Sequence, residues 1–262
     1  MIMKIATWNV NSIRSRLTIA QDWLTANPVD VLCLQETKVI DADFPREPFE
    51  ALGYHLAIAG QKSYNGVAIF SRQPLEDVKI GFEPVLGVTE FEEQKRVITG
   101  VFNNIRIVNL YVPNGSAVGS EKYEYKLAWL VALKTYLSQL KSENSRLCVC
   151  GDFNIALEDC DIYEPKAENQ VGASPTERAA LRSVLELGLT DAFRQFTQEE
   201  GHYSWWDYRQ GGFQRDRGWR IDHIYLTPEL SQQAINCIID RQPRQQKKPS
   251  DHTPVIVELR SF

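Results

Sequence analysis

The chain has 262 residues, 43% of them hydrophobic, enough to bury a substantial core, and no shift in composition marks a linker, so one domain over residues 1–262 is expected. The first strand-like run starts at residue 3 with no basic leader or signal-type apolar block, and no stretch is apolar for long enough to span a bilayer, which argues against membrane and exported classes and for a soluble, cytoplasmic protein. A net charge of −5 speaks against a polyanionic partner until its distribution is read.

That distribution is uneven. Arg209, Arg215, Arg217 and Arg220 are set against Asp216 alone, and Arg241, Arg244, Lys247 and Lys248 follow with no acid among them, so a positive face toward the C-terminal end is one reading and two solvated loops the other. Cys33, Cys148, Cys150, Cys160 and Cys237 are an odd set without zinc-type spacing; Cys148 and Cys150 alternate in an apolar run as buried thiols do, and disulfides are not expected.

In chain order, short apolar runs predict strands at 5–9, 29–34, 54–58, 66–70, 97–102, 106–111, 147–150, 220–226, 235–239 and 254–259. Ser12 is placed to cap a helix reaching about residue 26, with Ile13, Leu17, Ala20 and Leu24 on one stripe. A longer helix is predicted from 121 to about 142 through Tyr125, Leu127, Leu130, Leu133, Leu137 and Leu140. A third follows Pro175, carries Leu181, Val184 and Leu185, and ends at Gly188; before it, 165–175 reads as a polar loop. So many strands, several joined by turns too short for a crossover helix, exceed an open doubly wound sheet and fit two packed sheets with helices outside.

The polar residues at strand ends carry the chemistry. Glu36 stands just past an apolar strand, where a carboxylate can reach a cation without entering the core, although it could equally pair with Lys38. In Gly151-Asp152-Phe153-Asn154 the two-residue spacing sends Asp152 and Asn154 to one side while Phe153 turns inward. Asp222 lies within a strand whose alternation groups it with Arg220 and Ile224, opposite His223, Ile221 and Tyr225. Asp251 and His252 precede the last strand. Taken together these groups are compatible with one Mg2+ held by one or two carboxylates and a phosphate. Between residues 203 and 220 aromatics and arginines interleave, which is either inter-loop packing or an apolar slot for a base or deoxyribose edged by phosphate-binding arginines.

Read in order, Thr7-Trp8-Asn9-Val10-Asn11, Leu34-Gln35-Glu36-Thr37-Lys38, Gly66-Val67-Ala68, Asn109-Leu110-Tyr111-Val112-Pro113-Asn114-Gly115, Gly151-Asp152-Phe153-Asn154, Tyr203-Ser204-Trp205-Trp206-Asp207-Tyr208-Arg209, Trp219-Arg220-Ile221-Asp222 and Ser250-Asp251-His252-Thr253-Pro254-Val255 resemble the exonuclease III family of apurinic/apyrimidinic endonucleases, over the whole chain. The resemblance implies an α/β fold, the four-layer α-β-β-α sandwich of two mixed sheets flanked by helices. It implies Glu36 as the main metal ligand with Asn9 and Asp251 close to the metal, Mg2+ or Mn2+ in its place. Asp152 then activates or orients water beside Asn154; His252, held by Asp222, and Tyr111 reach the phosphate; Trp205, Trp219 and Ile221 form a pocket for an abasic sugar. Asn11, Arg209 and Arg217 complete the expected substrate contacts.

The implied activity is hydrolysis of double-stranded DNA 5′ to abasic sites, with 3′→5′ exonuclease and 3′-phosphatase activity, by a monomer that needs no obligate protein partner and touches no membrane. The alternatives are a 3′-end enzyme with little abasic-site activity, a cousin acting on RNA or lipid headgroups, and a non-catalytic nucleic-acid-binding relative. After Gly115 the chain runs Ser116-Ala117-Val118-Gly119, without the arginine that the human-type abasic endonuclease presents there, so wedging of the duplex is expected from Lys122, Lys126 or the 209–217 loop.

Overall fold

The computed structural model describes residues 2–164 and 170–260. In chain order its elements are β1 (Ile2–Asn9), α1 (Leu17–Ala26), β2 (Val31–Gln35), α2 (Glu47–Glu50), β3 (His55–Ala59), β4 (Val67–Ser71), β5 (Glu76–Ile80), α3 (Glu83–Leu86), β6 (Val97–Phe102), β7 (Ile105–Tyr111), α4 (Glu121–Glu143), β8 (Leu147–Asp152), α5 (Pro175–Leu185), β9 (Thr190–Asp191), β10 (Asp222–Leu226), α6 (Pro228–Gln233), β11 (Ala234–Ile239) and β12 (Val255–Arg260).

The strands form two six-stranded sheets, ordered β11-β12-β1-β2-β4-β3 and β5-β6-β7-β8-β10-β9. Each has one parallel pair at its centre, β1 with β2 and β7 with β8, among antiparallel neighbours. Alternation along these strands builds three apolar layers. Ile5, Cys33, Ile107, Cys148 and Cys150 point between the sheets. Trp8, Leu32 and Leu34 point outward onto α1 through Ala20, Trp23 and Leu24, while Val108, Leu110 and Val149 meet Leu130, Leu133 and Leu137 of α4 and Leu181 of α5. This is the expected four-layer α-β-β-α sandwich. The five cysteines are free, four of them buried. Among the described residues no helix is long and apolar enough to cross a membrane.

Some elements differ from their predicted form. Ser12 does not cap α1, which begins five residues later: Asn11 and Ser12 take left-handed backbone (φ 44 and 85), and Ser12 N donates to Glu36 O at 2.7 Å. The segment is thus tied to the end of β2 instead of winding into helix. Edge strand β5, Glu76-Asp77-Val78-Lys79-Ile80, has no apolar run and half-exposed side chains, so it left no pattern to read. The strand predicted at 220–226 starts only at Asp222. Arg220 therefore does not share a face with Asp222; its Nη1 lies 3.0 Å from His223 Nδ1. Of the polar loop at 165–175, residues 165–169 lie outside the described residues.

A polar clamp joins the sheets one residue below their upper edge. Gln35 Nε2 donates to Thr7 Oγ1 at 2.9 Å and across the interface to Asn109 Oδ1 at 2.7 Å, and Asn109 Nδ2 donates to the carbonyls of Leu34 and Ala68, both at 2.9 Å. Buried amide donors paired across the sheets in this way favour one register of sheet on sheet. The carboxyl ends of both parallel pairs consequently lie along one edge, where Asn9, Glu36, Tyr111 and Asp152 emerge.

Candidate active site

A cleft of about 360 Å3 opens at that edge, lined by Glu36, Tyr111, Asp152, Asn154, Asp251 and His252, with Trp205, Trp219 and Ile221 as its apolar wall. Every catalytic residue predicted from the sequence except Asp222 lines it directly, and Asp222 touches it through His252.

Glu36 is the hub. Its Oε1 accepts from Asn9 Nδ2 at 2.8 Å and Tyr111 OH at 2.9 Å, and its Oε2 meets Lys38 Nζ at 2.7 Å. Burial would raise its pKa, but Lys38 and the Asn9 bond outweigh burial and leave it lowered and ionised. The two readings of Glu36 are thus compatible, since it pairs with Lys38 and faces the cleft. Lys38 Nζ also donates to Asn11 Oδ1 at 2.6 Å, and Asn11 Nδ2 to Asp251 Oδ1 at 2.9 Å. Glu36 and Lys38 both hold left-handed backbone (φ 51 and 54), at roughly 1–2 kcal/mol each, so the surrounding bonds must over-determine that turn.

Asp152 ends β8 almost fully buried. Asn9 Nδ2 donates to its Oδ2 at 2.8 Å and Asn154 N to its Oδ1 at 2.9 Å. Burial pushes its pKa up to about 7; His252 works against that rise, while Asp222 and Glu36 add to it. The preceding glycine is obligatory, because Gly151 has φ 146 and an added Cβ would lie 1.9 Å from Leu110 O.

His252 Nδ1 lies 2.8 Å from Asp222 Oδ2, which also accepts from Ser204 Oγ at 2.7 Å, and His252 Nε2 lies 3.7 Å from Asp152 Oδ2. Burial alone would lower the imidazole pKa, yet Asp222 and then Asp152 drive it up to about 10, so the ring is a cation with a donor aimed into the cleft. Tyr111 keeps its phenolic proton, its pKa raised well above the usual value by burial and by Glu36.

On the apolar side Trp205 Nε1 donates to Asp251 Oδ2 at 3.0 Å, and Trp205 and Trp219 meet edge to face at 6.3 Å. With Ile162, Ile221, Ala156 and Ala173 they form a small separate apolar cluster. The aromatic stretch divides: Trp206 is core, and Trp205 and Trp219 are cleft wall with no arginine at its edge among the described residues.

The arginines divide differently from the prediction. Arg220, 1% exposed, is locked to Asp161 and Asp191, so it is structural and cannot meet a phosphate. Arg209 and Arg217 are exposed but outside the cleft lining; Arg209 pairs with Asp207, and Arg217 lies over Tyr163. Lys122 lines a neighbouring groove of about 790 Å3 that shares Tyr111 and Asn114 with the cleft. Lys126, expected among the wedging residues, is fully buried against Glu177 and cannot reach a duplex. Asn114 and Ser204 are not singled out by the sequence, though each sits inside a family-like string.

The donor set fits a hard divalent cation. Four carboxylates, Glu36, Asp152, Asp222 and Asp251, converge against two cationic groups, Lys38 and His252, leaving excess negative charge on oxygen ligands. One ligand atom each from Glu36, Asp152 and His252 lie within 4.8 Å of one another, with His252 tied to Asp222 through Nδ1.

The model of the Endonuclease/Exonuclease/phosphatase family matches residues 6–252. An exodeoxyribonuclease of Bacillus subtilis is 37% identical over 259 residues, covering 97% of this chain and 98% of the relative. An AP endonuclease structure from Archaeoglobus fulgidus superposes with a TM-score of 0.93 at 41% identity, covering 99% of this chain and 100% of its own. A Neisseria 3′ phosphatase bound to a product DNA hairpin gives a TM-score of 0.94 at 40% identity with the same coverage.

Proposed function

Because this chain belongs to the endonuclease/exonuclease/phosphatase family, and its relatives include an exodeoxyribonuclease, an AP endonuclease and a 3′ phosphatase, we propose that it is a metal-dependent DNA repair phosphodiesterase of the exodeoxyribonuclease III type. It cuts duplex DNA 5′ to abasic sites, removes nucleotides 3′→5′ and clears 3′ phosphates, breaking the P–O3′ bond each time and leaving a 3′-hydroxyl. The observation that carries this reading is the cleft itself, where a buried, weakly acidic Asp152, a cationic His252 and a small tryptophan-walled pocket adjoin.

In-line displacement at phosphorus needs a positioned nucleophile and neutralised equatorial oxygens. Asp152 takes or orients the proton of the attacking water, with Asn154 beside it, and a carboxyl whose pKa is lifted toward neutrality suits that task. His252 Nε2 donates to a non-bridging oxygen, Tyr111 OH turns its one proton from Glu36 Oε1 to a second, and Asp222 holds the imidazolium in place. Glu36 would hold Mg2+, or Mn2+, with Asn9 and Asp251 beside it; the bound cation supplies charge neutralisation on the phosphate. Trp205, Trp219 and Ile221 receive the abasic sugar, which has no base to exclude from so small a space. Asn11 orders Lys38 and Asp251, and Arg209 and Arg217 meet backbone phosphates outside the cleft.

Residues 1–262 act as one domain and one monomer without an obligate partner, cytoplasmic because that is where such DNA lies. Cleavage of an end-labelled duplex with a central abasic analogue and blocked 3′ ends tests the reading. Mg2+-dependent incision 5′ to the analogue supports it; digestion of unblocked duplex without incision would assign a 3′-end enzyme, and cleavage of neither would refute it.

A further inference from the structure

Lys126 of α4 and Glu177 of α5 meet at 2.6 Å with both side chains 0% exposed. Removing such a pair from water costs several kcal/mol per ion, and two apolar side chains would hold the helices together at least as well, so packing alone does not call for it. Burial pulls the Lys126 pKa down, and Glu177 partly restores it.

The hydrogen bonds show what the pair connects. All three protons of Lys126 Nζ are used, toward Glu177 Oε1, Asn154 O at 2.9 Å and Asn114 O at 3.2 Å. Glu177 in turn accepts from Gly172 N at 2.9 and 3.0 Å, from Ser174 N at 3.2 Å and from Ser174 Oγ at 2.6 Å. Asn114, Asn154 and Gly172 stand on three separate loops, and each lines the cleft. Asn114 Nδ2 reaches Asn154 Oδ1 at 3.1 Å, and Asn154 N reaches Asp152 Oδ1 at 2.9 Å. Gly172 is packed so closely that an added Cβ would lie 3.1 Å from both Asn154 O and the Trp219 ring.

From this geometry we infer that Lys126 and Glu177 are positioning residues, a buried clamp that sets Asn154 and Asp152 against the scissile phosphate and so governs turnover without governing DNA affinity. The inference rests on the cleft being the phosphodiesterase site. A neutral residue at 126 frees the carbonyls of Asn114 and Asn154, and misplacement by about 1 Å at a reacting group costs on the order of 100-fold in rate.

The test compares Lys126→Met and Glu177→Gln with two controls: Lys134→Met, which breaks the exposed Lys134–Glu186 bridge between the same helices, and Leu137→Ala, a core truncation in α4 that destabilises without touching the cleft. Each is assayed well below its Tm on the blocked abasic duplex, kcat under Mg2+ and Kd in EDTA. The expected result is a kcat loss of about 10- to 100-fold in the clamp variants with Kd within about threefold, and unchanged kcat in both controls. If Lys126→Met does not fold, the isosteric Glu177→Gln carries the comparison. Clamp variants with wild-type kcat, an effect confined to Kd, or an equal kcat loss in Leu137→Ala would overturn the clamp alone; an inactive wild type would overturn the parent reading and the clamp with it.

Discussion

Replacing Asp161 by Asn should weaken the protein in a way that depends on pH. Asp161 is fully buried, and its oxygens take Arg220 Nε at 2.7 Å and Arg220 Nη2 at 3.1 Å, with Arg194 as a further partner. Burial would raise its pKa, but Arg220 outweighs burial and takes it from the usual 3.8 down to about 2. A depressed carboxyl pKa contributes stability that is present above about pH 4 and is lost as pH falls toward 2; here that share is roughly 2–3 kcal/mol. The amide keeps the volume but leaves Arg220 with Asp191 as its remaining carboxylate at 2.8 Å, so a neutral-pH loss of about 3 kcal/mol follows. At roughly 2–4 °C per kcal/mol for a domain of this size, Tm drops by about 6–12 °C. Urea unfolding of both proteins from pH 7 to pH 2.5 gives the difference directly, and it should shrink by about 2 kcal/mol as pH falls below 4. A gap that stays constant across that range, or no gap at pH 7, would refute the reasoning. Trp219 and Ile221 flank Arg220 in the chain, so this cluster also anchors the apolar wall of the cleft.

Trp219→Ala should weaken binding to an abasic duplex by about 1–3 kcal/mol through lost apolar contact with the sugar, roughly 5- to 150-fold in Kd, and binding to intact duplex far less; equal weakening of both would remove Trp219 from the pocket. Glu36→Gln should raise the Mg2+ concentration for half-maximal cleavage by at least about tenfold, following the loss of one carboxylate ligand, and an unchanged Mg2+ profile would contradict its assignment. Arg209→Ala and Arg217→Ala should each flatten the dependence of log K on log salt by about 0.9 without changing kcat, if each meets one phosphate. An unaltered slope would place that arginine off the DNA.

The strands were legible because both faces of each sheet are covered, which leaves continuous apolar runs such as Val31-Leu32-Cys33-Leu34 and Leu147-Cys148-Val149-Cys150. In the fold Ile5, Cys33, Ile107 and Cys148 face the space between the sheets and Trp8, Leu34, Val108 and Val149 face the helices. Glu36, Asp152 and Asn154 were legible as polar residues directly after such runs. What joins them was not. Asn9 bridges Glu36 and Asp152 across two sheets, a contact that no local period encodes, and the hold of Asp222 on His252, thirty residues away, was expected from the family resemblance alone. Lys126 misled for a related reason: a lysine on a helix reads as solvent-facing, and only Glu177, on another helix, makes its burial tolerable. Arg220 counts in the sequence toward a positive face, and Asp161 and Asp191, distant in the chain, enclose it.

The measurement closest to the central claim is the single-turnover cleavage rate of the blocked abasic duplex by Asp152→Asn, beside its affinity for the same duplex. If buried Asp152 handles the proton of the attacking water, the rate should fall by about 100-fold or more while affinity is kept or strengthened, one negative charge near the phosphate having gone. A variant that cuts within about threefold of wild type, or one that has lost binding along with cleavage, would contradict the account.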